Sequence, residues 1–217
     1  MFQINFFRRP VALLPAALAL TLFTACDKDD ANQPSPAAPA ALPVRTVSNL
    51  AAGLTTPDGA AGLPTLASHY TFYSLAEQKA IPVSDSASTR WDIALKGTTI
   101  LINGGSSGPG AGGAQVFTGL FDDLATAPET GFATDSPTAR AIPTGSGNGW
   151  YTYNPMTNII SPVAGKVLLI RTAAGRLAKV EVVSYYRNAP AMPAPSDASR
   201  YYTFRYVYQP DGSRNLR

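Results

Sequence analysis

The alternation of apolar and polar positions along the chain is clearest after residue 69. Residues 69–75 (HYTFYSL) are aromatic and β-rich, and the pattern predicts a strand. Residues 81–88 read as a turn region. Residues 91–102 (WDIALKGTTILI) predict two strands with a kink at Gly97, and residues 114–117 a short return strand. Residues 150–153 predict a short aromatic strand. Residues 166–172 (KVLLIRT) read as a buried strand around the apolar core VLLI. Ala173, Ala174 and Gly175 turn the chain, since Gly175 can adopt the positive φ of a short hairpin loop. The chain then returns over residues 176–186 (RLAKVEVVSYY). The last strand, residues 200–208, sets Tyr202, Phe204, Tyr206 and Tyr208 on one face, which must lie against a core or a second sheet. No segment sustains a helical period with caps. The predicted class is all-β with antiparallel sheets and few or no helices.

The segments between these strands carry less pattern. Residues 44–66 predict loop with at most one short strand. Residues 122–149 are rich in Pro, Thr and Gly, and residues 188–198 form a Pro-rich loop.

The N-terminus follows another logic. Arg8 and Arg9 precede an apolar run over residues 11–25 (VALLPAALALTLFTA). A helix needs about 20 apolar residues to cross a bilayer. This run is shorter and is interrupted by Pro15, so it reads as an export signal covering residues 1–25. It ends in Phe23-Thr24-Ala25-Cys26, which resembles a lipobox. Cys26 is then the lipidation site, anchoring the chain in the outer membrane. It is also the single cysteine, so an intramolecular disulfide is excluded. Asp27-Lys28-Asp29-Asp30 resembles a signal for the outer face of that membrane; its bland alternative is a solvated tether. Residues 26–43 are expected to be a lipidated, disordered Pro/Ala-rich tether, and residues 44–217 the β domain.

Charge narrows the partners. The chain has 17 basic and 14 acidic residues, and without Arg8 and Arg9 the balance becomes 15 against 14. With no basic block, nucleic acid is not an expected partner.

Candidate chemistry is sparse. Gly108-Pro-Gly110-Ala-Gly112-Gly113 formally contains GxGxxG but leads into a strand, so a backbone role in tight turns is expected. Gly145-Ser-Gly147-Asn-Gly149 reads as a turn delivering the strand at Trp150. His69 is the single histidine, which leaves no triad and no two-His metal site. Asp92, Asp122, Asp123, Glu129 and Asp135 share the central stretch, but no spacing selects a catalytic pair. The chain is expected not to be an enzyme. Met156 lies just past the aromatic strand and Met192 in the Pro-rich loop. A methionine beside aromatics usually packs, although a thioether is also an axial ligand for haem iron.

Three stretches then carry a resemblance. They are Trp91-Asp-Ile-Ala-Leu95 with the Gly-rich loop from Asn103 to Ala114, Lys166-Val-Leu-Leu-Ile-Arg171 with Gly175-Arg-Leu-Ala-Lys179-Val, and Tyr202-Thr-Phe204-Arg-Tyr-Val-Tyr208. Together they resemble the HmuY family of haem-binding lipoproteins. The resemblance implies an all-β, hand-shaped fold. It also implies haem as cofactor and delivery of haem to a TonB-dependent outer-membrane receptor. Family members hold the iron between two histidines or two methionines. The second ligand falls about five residues beyond a tryptophan like Trp150, where this chain has Pro155 and then Met156. Met156 is therefore the haem-ligand candidate, with Trp150, Tyr151 and Tyr153 as pocket candidates. The first-ligand segment, roughly 129–149, holds neither His nor Met. The alternative is a non-haem member of the fold that binds another small ligand or a protein partner.

Overall fold

The computed structural model describes residues 41–55 and 65–217. The export signal, Cys26 and most of the tether lie outside the described residues.

Five antiparallel strands form the larger sheet. They are β1 (Arg45–Ala51), β8 (Gly113–Thr118), β11 (Lys166–Arg171), β12 (Leu177–Tyr186) and β13 (Ser199–Gln209). Their order is β1-β13-β12-β11-β8. A four-stranded antiparallel sheet, β5-β4-β6-β7, consists of β4 (Thr71–Ser74), β5 (Lys79–Ile81), β6 (Ile93–Lys96) and β7 (Thr99–Ile102). Two strand pairs stand apart: β2 (Leu54–Thr55) with β3 (Thr65–Leu66), and β9 (Tyr151–Asn154) with β10 (Ile159–Pro162). Among the described residues there is no α-helix, only a 3-10 turn at Val83–Asp85.

Strand β11 shows how the pattern builds the fold. Alternate side chains of a strand leave on opposite faces. Leu168 and Ile170 enter the main core, while Val167 and Leu169 enter a second core on the sheet's other face. The main core joins the two sheets, with Tyr73, Ile93 and Ile102 from one, Leu75 just after β4, and Val180, Val182, Phe204 and Tyr206 from the other. Each such side chain contributes about 1.5–3 kcal/mol on burial. Polar bonds fix the alignment. The Tyr206 hydroxyl donates to the Leu75 carbonyl at 3.0 Å, and the Tyr202 hydroxyl to the Gly97 carbonyl at 2.9 Å. Gly97, at φ 55°, makes the β6–β7 turn, and Gly175, at φ 76°, the β11–β12 turn.

The second core contains one cation. Lys179 on β12 is buried, and its ammonium donates to the carbonyls of Phe121 (2.8 Å) and Leu124 (3.0 Å) over the Phe121 ring. Burial holds its pKa below the ordinary lysine value.

The Gly-rich loop is part of this framework. Asn103 is fully buried and organises it. Its amide donates to the carbonyls of Ser88 (2.9 Å) and Trp91 (2.8 Å), and its side-chain oxygen accepts the Gly110 N–H at 3.0 Å. A Cβ on Gly110 would lie 2.6 Å from the Asn103 carbonyl oxygen and 2.7 Å from Ala173 Cβ. Close backbone approach is thus the reason for the glycines.

The segment 44–66 holds more strand than its sequence predicts. β1 runs seven residues along the edge of the larger sheet, with a bulge between Val47 and Leu50. Leu42, expected in the tether, packs against the second core and donates its N–H to the Arg217 carbonyl at 2.7 Å.

Candidate ligand groove

The chain enters β9 through Trp150, which is 2 % exposed. Its indole N–H donates to the Thr98 carbonyl at 3.0 Å. Its ring centroid lies 4.9 Å from that of Tyr151, 5.2 Å from Tyr202 and 5.9 Å from Tyr185. Trp150 and Tyr151 are therefore core residues under the start of the hairpin and not walls of an opening. Burial raises the phenol pKa values of Tyr202 and Tyr185, the latter to about 12. Both stay neutral hydrogen-bonding groups at physiological pH.

The β9–β10 hairpin stands on this aromatic base. The Ile160 N–H donates to the Tyr186 hydroxyl at 2.9 Å, tying β10 to the end of β12. The hairpin tip is fixed by its own polar groups. The Asn154 carboxamide oxygen accepts the Met156 N–H at 2.9 Å, the local turn that asparagine favours. The Tyr153 hydroxyl donates to the Asn158 carboxamide at 2.6 Å, and Asn158 adopts φ 54°. The tip backbone is held while the Met156 side chain is left in solvent, at 89 % exposure.

Facing the hairpin is the Pro-rich loop 188–198. Its base closes through the Arg187 N–H to the Ala198 carbonyl at 2.9 Å. Asn49, in the bulge of β1, locks it from the side. Its Nδ2 donates to Asn188 Oδ1 at 3.1 Å, and its Oδ1 accepts the Asn188 N–H at 2.6 Å. Further along, the Asp197 carboxylate accepts the Ala194 N–H at 2.8 Å. Between hairpin and loop runs an open groove of about 590 Å³, within the size range of small-molecule sites. Asn154, Met156, Thr157, Ile159 and Ser161 form one wall, and Pro193, Ala194 and Pro195 the other.

Of the residues singled out by sequence, Met156 lies at the groove and Tyr153 on the adjoining strand, 42 % exposed. His69 is exposed in the bend before β4. The carboxylates do not pair. Asp92 accepts the N–H groups of Leu75 (2.8 Å) and Ala173 (3.1 Å), and desolvation raises its pKa. Asp135 accepts those of Ile102 (3.0 Å) and Ala141 (2.8 Å), and Glu129 pairs with Arg214. No cluster of three His, Cys, Asp or Glu occurs among the described residues. Segment 129–149 contains no strand; Asp135 and the Ala114–Ala133 bridge hold it against the fold.

Sequence reasoning missed the Pro-rich wall. Such a stretch has no periodicity that could mark it, and only its folding back from β12 to β13 brings it beside the hairpin.

Fold and groove together define an antiparallel β protein with two packed sheets and an open groove beside them. The model of the HmuY protein family matches residues 67–206, more than half of the chain, and the chain belongs to the HmuY family. No curated protein matches it. Among solved structures, it is similar to a candidate HmuY-like haem-binding protein from Bacteroides vulgatus. That match has 23 % identity and TM-score 0.44 over 64 % of this chain and 85 % of the other. It is also similar to a candidate lipoprotein from Bacteroides fragilis, with 19 % identity and TM-score 0.43 over 65 % and 84 %. A third is the apo form of an HmuY analogue from Tannerella forsythia, with 14 % identity and TM-score 0.45 over 78 % and 96 %.

Proposed function

We propose that this protein is a haem-binding lipoprotein of the HmuY type. It is anchored through Cys26 at the outer-membrane surface, holds haem in the groove, and passes it to a TonB-dependent receptor. The observation that carries the reading is the Met156 thioether, unpacked and 89 % exposed on a backbone-fixed hairpin at the groove, in a chain of the HmuY family. The residues fit the group. A thioether sulfur is an axial ligand for haem iron. Ile159, Pro193 and Pro195 offer apolar faces to a flat ring, and Asn154, Thr157 and Ser161 offer polar atoms to its edge. Haem, when bound, supplies iron as cargo, and the protein performs no reaction on it.

A second reading is favoured by segment 129–149, which carries no His or Met and is held down by Asp135. In that reading the groove takes a different small ligand or a protein partner. A visible absorption titration of the mature chain from Cys26 with ferric and ferrous haem decides between them. The haem reading expects a saturable, shifted Soret band that Met156→Ala alters. A spectrum equal to free haem rejects it.

A further inference from the structure

We propose that the groove is a charge-free site that takes the flat ring of haem and leaves its propionate carboxylates in water. This rests on the haem reading above and adds which part of the ligand is recognised. From Ala141 to Gly165 the chain carries no charged residue, although 14 % of all its residues are charged. That run contains the whole β9–β10 hairpin, and residues 152–158 of it are exposed. A neutral stretch is ordinary in a core. An exposed one is not, because charged side chains are the usual cover of a solvated surface. The facing loop, 188–198, has one charged residue, Asp197, and its carboxylate accepts the Ala194 N–H at 2.8 Å. The charge nearest that wall is thus negative.

The two arginines that flank the loop are used elsewhere. Arg187 lies over the Tyr201 ring, 4.8 Å from its centroid, and Arg200 beside the buried Tyr185 phenol. Tyr201 and Tyr202 leave β13 on opposite faces. The hairpin's aromatic base, Trp150 on Tyr202, is on the second of these, so Arg187 is held on the other side of the sheet. The polar atoms that line the groove are neutral. Asn154 spends its carboxamide oxygen on the Met156 N–H, and Thr157 and Ser161 carry hydroxyls. Such groups bond a carboxylate less strongly than a guanidinium fork does. Ile159, Pro193, Ala194 and Pro195 present apolar surface, against which an unpaired carboxylate is costly to bury. The ring therefore enters with its acid arms outward. Its binding comes from apolar area and the Met156 sulfur, which salt does not screen.

The test titrates the mature chain from Cys26 with haem and with haem dimethyl ester, whose carboxylates are methylated, in the same cosolvent. It is followed by the Soret band. The two ligands should bind within about threefold of each other, and haem affinity should change by less than about threefold between about 50 and about 500 mM salt. Arg187→Gln and Arg200→Gln should weaken haem no more than its ester. Three results would each overturn the charge-free site and leave the haem reading standing: an ester that binds about tenfold or more weakly than haem, a loss of that size with salt, or a glutamine variant that weakens haem alone by that factor. Spectra of both ligands equal to those without protein overturn the haem reading as well.

Discussion

The Gly-rich loop at 103–113 and the Pro-rich loop at 188–198 are both irregular and aperiodic, yet the fold uses them in opposite ways. The Gly-rich loop has the composition of a ligand loop, but its atoms are spent on the protein itself. Asn103 bonds to Ser88, Trp91 and Gly110, and the glycines allow backbone to approach backbone. The Pro-rich loop has the composition of a spacer, but it is fastened at its base and side and leaves its middle residues open beside the hairpin. Whether a loop's hydrogen bonds are satisfied inward decides whether its side chains remain free for a partner.

The sharpest way to break this contrast is to add a side chain to the Gly-rich loop. Gly110→Val would place atoms against the Asn103 carbonyl and Ala173. Overpacking against backbone has few ways to relax, and a loss of about 3 kcal/mol is expected by urea denaturation. A loss under about 0.5 kcal/mol, the range of neutral surface changes, would show that the loop is looser than its bonds indicate.

Next in size is Asp92, whose carbonyl accepts the Asn103 N–H at the start of the Gly-rich loop and whose carboxylate joins Leu75, just after β4, to the β11–β12 turn. Asp92→Ala strands the Leu75 and Ala173 N–H groups, and about 2–3 kcal/mol should be lost. The pH dependence has a defined sign. Burial raises the folded pKa of Asp92 above its ordinary value of 3.8. The folded state therefore holds the proton more tightly than the unfolded chain. The contribution from this linkage is full below pH 3.8 and is lost as pH rises through the raised folded value. The wild type's margin over Asp92→Ala should accordingly narrow with rising pH across that window. A margin that widens would mean that the backbone donors outweigh desolvation.

These two sites also show how much of the fold is legible in the sequence. The β6–Gly97–β7 and β11–Gly175–β12 hairpins follow from apolar runs broken by a glycine that takes positive φ. The aromatic face of β13 is equally plain, because Tyr202, Phe204 and Tyr206 repeat with period two and are all buried. β1 is not, since an edge strand paired on one side and bulged at Asn49 needs no alternating apolar face. β10 exists by virtue of its pairing with β9 and ends at Pro162, too short to signal itself. At the candidate site, Met156 is a candidate only through the family resemblance, which places a ligand about five residues beyond a tryptophan like Trp150, one residue short of it. The facing wall is not legible, because its position depends on a contact between residues 49 and 188.

That contact gives a smaller perturbation. Asn49→Ala removes both bonds to Asn188, which are exposed, so about 1 kcal/mol or less of global stability is at stake. The local effect should be larger in proportion. Amide exchange of Asn188 should rise while that of β11 stays unchanged, and any ligand of the groove should bind more weakly. Unchanged exchange at Asn188 would mean that the loop is positioned by its base alone.

The smallest effect on stability, and the one that isolates the groove from the fold, is expected at Met156. Its side chain is left in solvent at 89 % exposure, and the Asn154 bond that fixes the tip goes to its backbone N–H, which alanine keeps. Met156→Ala should leave the unfolding free energy within about 0.5 kcal/mol of wild type. The same holds for Met192, which is exposed to the same degree. A residue whose removal costs the fold nothing, yet which stands unpacked on a fastened turn, has no structural reason to be a methionine. If either variant instead lost more than about 1 kcal/mol, its thioether would be packing in solution, and the groove would be narrower than the open cleft between hairpin and loop.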